Sequence, residues 1–259
     1  MMSKDYQGAL EDLDKTDVFD PNNASTSRSH GDVKMMLKDY QRALEDFDKA
    51  NALEPNNAFT LMNPGDVKYM LDDYQGALED LDNANVLQPN NASTLRSRGD
   101  VKMMLKEYQG ALEDLDKAIV PEPNNAYTLT NRGKVKYMLD DYQGALEDFN
   151  MANALEPNNA STFRNRGDVK RMLKDYQGAI KDLNKVDVLE PNDVSTLNSH
   201  GPIKYILDDY EGALQDLDKV HVFEPNNTST SSIHGCVNDP ERKQTYDEWC
   251  LQVMWFNVC

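Results

Sequence analysis

Seven tyrosines, Tyr6, Tyr40, Tyr74, Tyr108, Tyr142, Tyr176 and Tyr210, recur at intervals of 34 residues, and Pro21, Pro55, Pro89, Pro123, Pro157, Pro191 and Pro225 keep the same interval. Gly31, Gly65, Gly99, Gly133, Gly167, Gly201 and Gly235 form a third series in the same register. A unit of this size is too small to bury an apolar face alone, so its copies must stack and share one continuous core. The 259-residue chain is therefore predicted to form an elongated array instead of one or two globular domains.

The unit from Ala92 to Asn125 shows how one copy is built. Leu95, Gly99, Val101 and Leu105 follow three- and four-residue steps, and Tyr108, Ala111, Leu112, Leu115 and Ala118 do the same, so each half reads as an amphipathic helix. Lys106-Glu107 lies between the halves. In other copies the residue before the tyrosine is Asp39, Asp73, Asp141, Asp175 or Asp209, whose carboxylate is predicted to cap the second helix. Pro123 stops that helix, and Asn124-Asn125 supplies turn or cap groups for the next. Gly99 and Ala111 let the two backbones approach. Glycine costs about 1 kcal/mol relative to alanine inside a helix, so close packing must compensate.

Leu95, Gly99, Tyr108, Ala111, Leu115, Ala118 and Pro123 resemble the tetratricopeptide-repeat signature, and the run Tyr74-Gln75-Gly76-Ala77-Leu78-Glu79-Asp80-Leu81 returns as Tyr142-Gln143-Gly144-Ala145-Leu146-Glu147-Asp148-Phe149. The resemblance implies an all-α fold, a right-handed superhelical solenoid of antiparallel helical hairpins. It covers a truncated first copy in residues 1–23, six complete copies at 24–57, 58–91, 92–125, 126–159, 160–193 and 194–227, and a degenerate copy with a possible capping helix in 228–259.

Departures from the family pattern fall on the first helix. The position three after the glycine, usually apolar or aromatic there, is Lys34, Lys68, Lys102, Lys136, Lys170 or Lys204, and the position before it is His30, Pro64, Arg98, Arg132, Arg166 or His200. Lighter packing of the first helices is expected, with basic stems covering apolar surface. Pro64 and Pro202 fall inside first helices, so late starts or kinks are expected there. A 68-residue period overlies the first: Lys38, Asp72, Lys106, Asp140, Lys174 and Asp208 alternate in sign, and Met35, Tyr69, Met103, Tyr137, Arg171 and Tyr205 alternate tyrosine with another residue.

Acidic residues outnumber basic ones 45 to 27, a formal charge of −18, which argues against a nucleic-acid partner. No apolar run is long enough to cross a bilayer and no leader precedes the repeats, so no membrane association and a cytoplasmic location are the default expectations. Cys236, Cys250 and Cys259 are odd in number, lack CxxC spacing and read as free thiols. The asparagines of Asn23-Ala24-Ser25, Asn91-Ala92-Ser93 and Asn159-Ala160-Ser161 read as caps, not glycosylation acceptors.

In the resembled family the first helices line a concave groove that takes a peptide or a partner helix. Carried over, the groove positions include Arg28, Asp32 and Met35; Met62, Asp66 and Tyr69; Arg96, Asp100 and Met103; Thr130, Lys134 and Tyr137; Arg164, Asp168 and Arg171; and Asn198 and Tyr205. Arg28, Tyr69, Arg96, Met103, Tyr137, Arg164, Arg171 and Tyr205 are the principal candidates, since arginine, aromatic and thioether groups are enriched at interfaces; the tyrosines and methionines serve equally as packing between helices. An acidic or mixed peptide fits such a groove. Some family members clamp a chaperone's terminal carboxylate, but the clamp asparagine is replaced by Asp32, Asp66, Asp100, Lys134, Asp168 or Pro202, and an aspartate repels that ligand. A co-chaperone-like role has only that resemblance behind it.

Glu45-Asp46 with Asp48, Glu79-Asp80 with Asp82, and Glu113-Asp114 with Asp116 are expected to form a solvated acidic outer face. They form no convergent dyad, no histidine partners them, and His30, His200, His221 and His234 follow no ligand spacing, so neither catalysis, a metal nor a cofactor is expected. In the tail, Pro240 to about Phe256 reads as a helix with an apolar stripe of Tyr246, Trp249, Cys250, Val253 and Phe256, a route to self-association and the basis of an alternative reading as a structural or self-associating solenoid, a truncated or weakly functional product among its forms. Residues 239–247 also resemble the last-helix segment of J-domains, without that family's His-Pro-Asp trio.

Overall fold

The computed structural model describes residues 2–55 and 57–224, so the degenerate copy, the cysteines, the tail helix and the J-domain-like segment of 228–259 lie outside the described residues. The chain forms two compact units, Met1–Leu139 and Asp140–Cys259. The first carries α1 (Met2–Phe19), α2 (Ala24–Met36), α3 (Tyr40–Leu53), α4 (Ala58–Met70), α5 (Tyr74–Leu87), α6 (Ala92–Met104), α7 (Tyr108–Ile119) and α8 (Ala126–Met138). The second carries α9 (Tyr142–Leu155), α10 (Ala160–Met172), α11 (Tyr176–Leu189), α12 (Val194–Ile206) and α13 (Tyr210–Phe223). Within each unit every helix packs on the next, and first helices such as α4 and α6, or α10 and α12, also touch one another.

Asparagine starts α2, α6, α8 and α10, and Asp193 starts α12. Asn23 Oδ1 accepts the Thr26 amide at 3.1 Å, Asn91 that of Thr94 at 3.1 Å, Asn125 that of Thr128 at 3.0 Å and Asn159 that of Thr162 at 3.1 Å, each satisfying an amide the helix itself leaves free. The expected aspartate caps are made on the second helices: Asp73, Asp141, Asp175 and Asp209 accept from Gly76, Gly144, Gly178 and Gly212 at 2.9–3.0 Å. Asp39 departs from that expectation. Its third neighbour is Arg42, not glycine, and its carboxylate turns to that guanidinium, 3.5 Å away, without capping α3.

The alternating Lys38, Asp72, Lys106, Asp140, Lys174 and Asp208 close the turn after each first helix, all in the left-handed region with φ of 60–63°. Glycine is the usual occupant of that conformation, and the side chains present are strained there. In the aspartate copies the carboxylate accepts a hydrogen bond from the tyrosine two residues on, Tyr74 to Asp72 at 2.7 Å and Tyr142 to Asp140 at 2.6 Å. The 68-residue period therefore has a local structural counterpart in these turns.

The core repeats with the sequence. Ala43 and Phe47 of α3 meet Val67 of α4; Ala77 and Leu81 of α5 meet Val101 of α6; Ala111 and Leu115 of α7 meet Val135 of α8; Ala179 and Leu183 of α11 meet Ile203 of α12. Inside the hairpins Gly31, Gly65, Gly99, Gly167 and Gly201 of the first helices take the close contact: a Cβ at Gly31 would lie 2.5 Å from the Phe47 ring.

Two expectations are corrected in part here. α4 and α12 start in register and keep all 13 residues, so Pro64 and Pro202 cause no late start. Both prolines are buried, and packing of the whole helix against its neighbours offsets the one lost backbone bond. The acidic outer face is also not uniformly solvated. Asp114 is 1% exposed and receives Arg98 Nε–H at 2.8 Å, Arg98 Nη2–H at 2.5 Å and Lys102 Nζ at 2.8 Å. Lys34–Asp46 at 2.5 Å, Lys68–Asp80 at 2.6 Å, Lys170–Asp182 at 2.7 Å and Lys204–Asp216 at 2.5 Å repeat the pair. Pairs 12 and 16 residues apart across one turn require antiparallel helices. Lys34, Lys68, Lys102, Lys170 and Lys204, which replace the family's apolar residues, thus each pair with a carboxylate of the same hairpin, and charge pairing takes over where lighter packing was expected. Asp48, Asp82 and Asp116 do face solvent.

Candidate functional site

Residues four apart on a helix share a face. On α2, α4, α6 and α8 this places Asp32 with Met36, Asp66 with Met70, Asp100 with Met104 and Lys134 with Met138. The four methionines are 60, 52, 43 and 53% exposed, a thioether row in the first unit that lies outside the sequence-derived candidates. Its signal is present in the sequence: each follows a candidate groove position directly and recurs with the period.

The acidic groups of this face are bound to neutral partners on the next first helix. Asn63 Nδ2 donates to Asp32 at 3.3 Å, Ser97 hydrogen-bonds Asp66, and Asp100 accepts from Asn131 Nδ2 at 2.7 Å and from the Tyr127 hydroxyl. Burial pushes all three carboxyls up, Asp100 to about 6 against the pull of its hydrogen bonds. Lys134 is lowered by burial, which the nearby Asp100 charge opposes. Tyr127 and Asn131 are not among the sequence-derived candidates, although Tyr127 stands where Ser93 and Ser161 stand in the neighbouring copies. In the second unit Ser199 donates to Asp168 at 3.2 Å, and burial raises that carboxyl too.

The eight principal candidates lie in four kinds of place. Tyr69 and Met103 pack on core clusters, Tyr69 with its ring 5.6 Å from that of Tyr74. Tyr205, its ring 5.5 Å from that of Tyr210, and Arg171 are buried in the second unit. Arg96 is taken by Glu122 at 2.5 Å and by Ser93, and Arg164 by Glu190 at 2.7 Å and Asp193 at 3.1 Å. Arg28 and Tyr137 are half-buried on the first-helix face, Arg28 with Ser25 3.5 Å away.

Elsewhere, the second unit has a cavity of about 470 Å³ lined by Pro157, Phe163, Lys185 and Val188. The Lys185 ammonium sits 4.5 Å from the centroid of the Phe163 ring. Among the described residues no group of three or more His, Cys, Asp or Glu is placed to hold a metal ion, and no helix is long and apolar enough to cross a membrane.

Solved structures share this arrangement. A chain of the APC/C hetero-tetramer Cut9–Hcn1 superposes with a TM-score of 0.78 at 19% identity over 92% of this chain and 47% of that one, so this chain spans about half its length. A tetratricopeptide repeat protein from Parabacteroides merdae gives 0.66 at 20% identity, over 92% of this chain and 94% of that one. The chain has the tetratricopeptide-repeat fold. YrrB, described as a TPR protein with an unusual peptide-binding site, gives 0.60 at 21% identity over 73% of this chain and 97% of its own. No model of a known protein family matches the sequence, and neither does any curated protein. The tetratricopeptide-repeat likeness is one of fold, and residue roles follow from this chain's own geometry.

Proposed function

We propose that the chain is a non-catalytic protein-interaction scaffold that receives a peptide or a partner helix on its first helices. The observation that carries this reading is the row Met36, Met70, Met104 and Met138, large apolar groups left open on successive helices of a stacked array. Thioether side chains re-pack around varied partners, and exposed apolar rows mark interaction surfaces. The peptide-binding site named for YrrB gives the fold a precedent. Capture of a chaperone's terminal carboxylate is disfavoured by Asp32, Asp66 and Asp100, and self-association through the tail rests on residues outside those described.

Affinity purification with the intact chain, followed by mass spectrometry, compares the parent with a Met70→Lys, Met104→Lys variant. Partners retained by the parent and lost by the variant support the scaffold reading; an unchanged set of partners overturns it.

A further inference from the structure

Resting on the interaction-scaffold reading, we propose that the first-helix face of residues 1–139 docks a basic peptide in which cationic and apolar side chains are interleaved. The methionines take the apolar side chains, Asp32 and Asp66 take the cationic ones, and Asp100, buried with both oxygens bonded to Asn131 and Tyr127, adds its charge from beneath the face.

Charge bookkeeping on the helices sets the sign. Lys34, Lys68 and Lys102 leave α2, α4 and α6 on the opposite side, where Asp46, Asp80 and Asp114 hold them at 2.5–2.8 Å. Arg98 is shared between Asp82 and Asp114, and Arg96 is bound to Glu122. Of the basic groove candidates in the first unit, Arg96 is therefore already neutralised, while Arg28 and Lys134 stay on the face beside the carboxylates. Asp32, Asp66 and Asp100 are hydrogen-bonded to an amide, a hydroxyl, and an amide with a phenol. Arg28 and Lys134 act on Asp32 and Asp100 only through space, without a hydrogen bond to either carboxylate. Asp32 is exposed and Asp66 half-buried, each bonded only to a neutral donor, so an incoming cation gains at both, while an acidic ligand meets like charge.

Spacing sets the repeat of the ligand. Packed helices lie about 10 Å apart, and an extended chain advances roughly 3.3 Å per residue, so one cation every third residue keeps step with the carboxylates. The apolar residues between them fall against methionines one helical turn beyond each aspartate.

The test uses the full chain and two fluorescein-labelled nine-residue peptides, three Lys-Leu-Ser repeats and three Glu-Leu-Ser repeats, read by fluorescence anisotropy at about 150 mM salt, where long-range attraction is screened. Variants are Asp32→Asn/Asp66→Asn/Asp100→Asn, an equal-charge control Glu45→Gln/Glu79→Gln/Glu113→Gln on exposed second-helix sites, and Met70→Lys/Met104→Lys. The lysine peptide is expected to bind at least about tenfold tighter than the glutamate peptide, to lose about tenfold in the aspartate variant, and to change less than about threefold in the glutamate control. If the aspartate triple variant fails to fold by circular dichroism, Asp66→Asn alone is expected to weaken the lysine peptide about threefold. Equal losses in the aspartate and glutamate variants would reduce the effect to general attraction by an acidic protein and overturn the proposal, as would absence of lysine-peptide binding. Tighter binding of the glutamate peptide, abolished by Met70→Lys/Met104→Lys, would overturn the sign while leaving the scaffold reading intact. Binding of either peptide that ignores the methionine variant would remove this face from both.

Discussion

Asp182 accepts both arms of the Arg166 fork, Nε–H to Oδ2 at 2.7 Å and Nη2–H to Oδ1 at 2.6 Å, while Lys170 Nζ reaches the same Oδ2 at 2.7 Å. Burial pushes the carboxyl up, but the hydrogen bonds and charges of Arg166 and Lys170 together outweigh it and hold Asp182 below the ordinary carboxylate range. Removing the carboxylate strands two cations, one of them buried. Asp182→Ala is expected to destabilise by about 3–5 kcal/mol in urea unfolding. A depressed folded-state value gives stabilisation that is full above the unfolded value of about 3.9 and is lost as pH falls toward the lower folded value. Asp182→Asn should therefore flatten the acid limb of the stability curve; an unchanged limb would place the pair outside the folding equilibrium.

Asp100 works in the opposite sense. Its folded-state value of about 6 exceeds the unfolded one, so the native state binds more protons between pH 4 and 6, and stability through this group falls as pH rises across that window. A displacement of that size corresponds to roughly 3 kcal/mol. Tyr127, Asn131 and Lys134 of α8 and Asp66 and Tyr69 of α4 face the same carboxyl and tune it. Asp100→Asn should gain stability over the parent as pH is raised from 4 to 7. Carbon-detected titration of Asp100 should show a midpoint near 6, and one below 4 would contradict its desolvation.

Gly8 and Gly144 sit in equivalent sequence runs with different surroundings. A Cβ at Gly8 meets nothing within 4 Å, whereas one at Gly144 would overlap Oδ2 of the capping Asp141. Gly8→Ala is expected to stabilise by about 0.5–1 kcal/mol through helix propensity. Gly144→Ala displaces the cap, worth about 1 kcal/mol, and is expected to end neutral or destabilised. Parallel thermal melts decide it, and equal gains in both would show that the cap contributes nothing.

Hairpins, caps and close-contact glycines were legible because they rest on residues whose spacing admits one physical reading: Tyr108, Ala111, Leu115 and Ala118 on one stripe, Asn125 before Ala126, Gly31 against Phe47. The buried ion pairs were not, because aspartate beside glutamate in an acidic chain reads as solvated surface. Asp114 nevertheless follows Ala111 by three and precedes Ala118 by four, which puts it on the buried stripe, while Glu113 and Asp116 point away. Pairing of Lys102 and Arg98 with that carboxylate also fills the positions where lighter packing of the first helix was expected. Arginines at groove positions looked available until Glu122 and Glu190 were seen to hold Arg96 and Arg164. Both pairs join residues 26 apart within one copy, a separation that carries no helical-spacing signal in the sequence.

The docking face is tested most directly by methyl NMR of the intact chain labelled at methionine, titrated with the peptide of three Lys-Leu-Ser repeats. Met36, Met70, Met104 and Met138 should shift progressively and saturate together, while Met151, 49% exposed on second helix α9, stays in place. Movement of Met151 with the four first-helix methionines unmoved would contradict a docking site on this face.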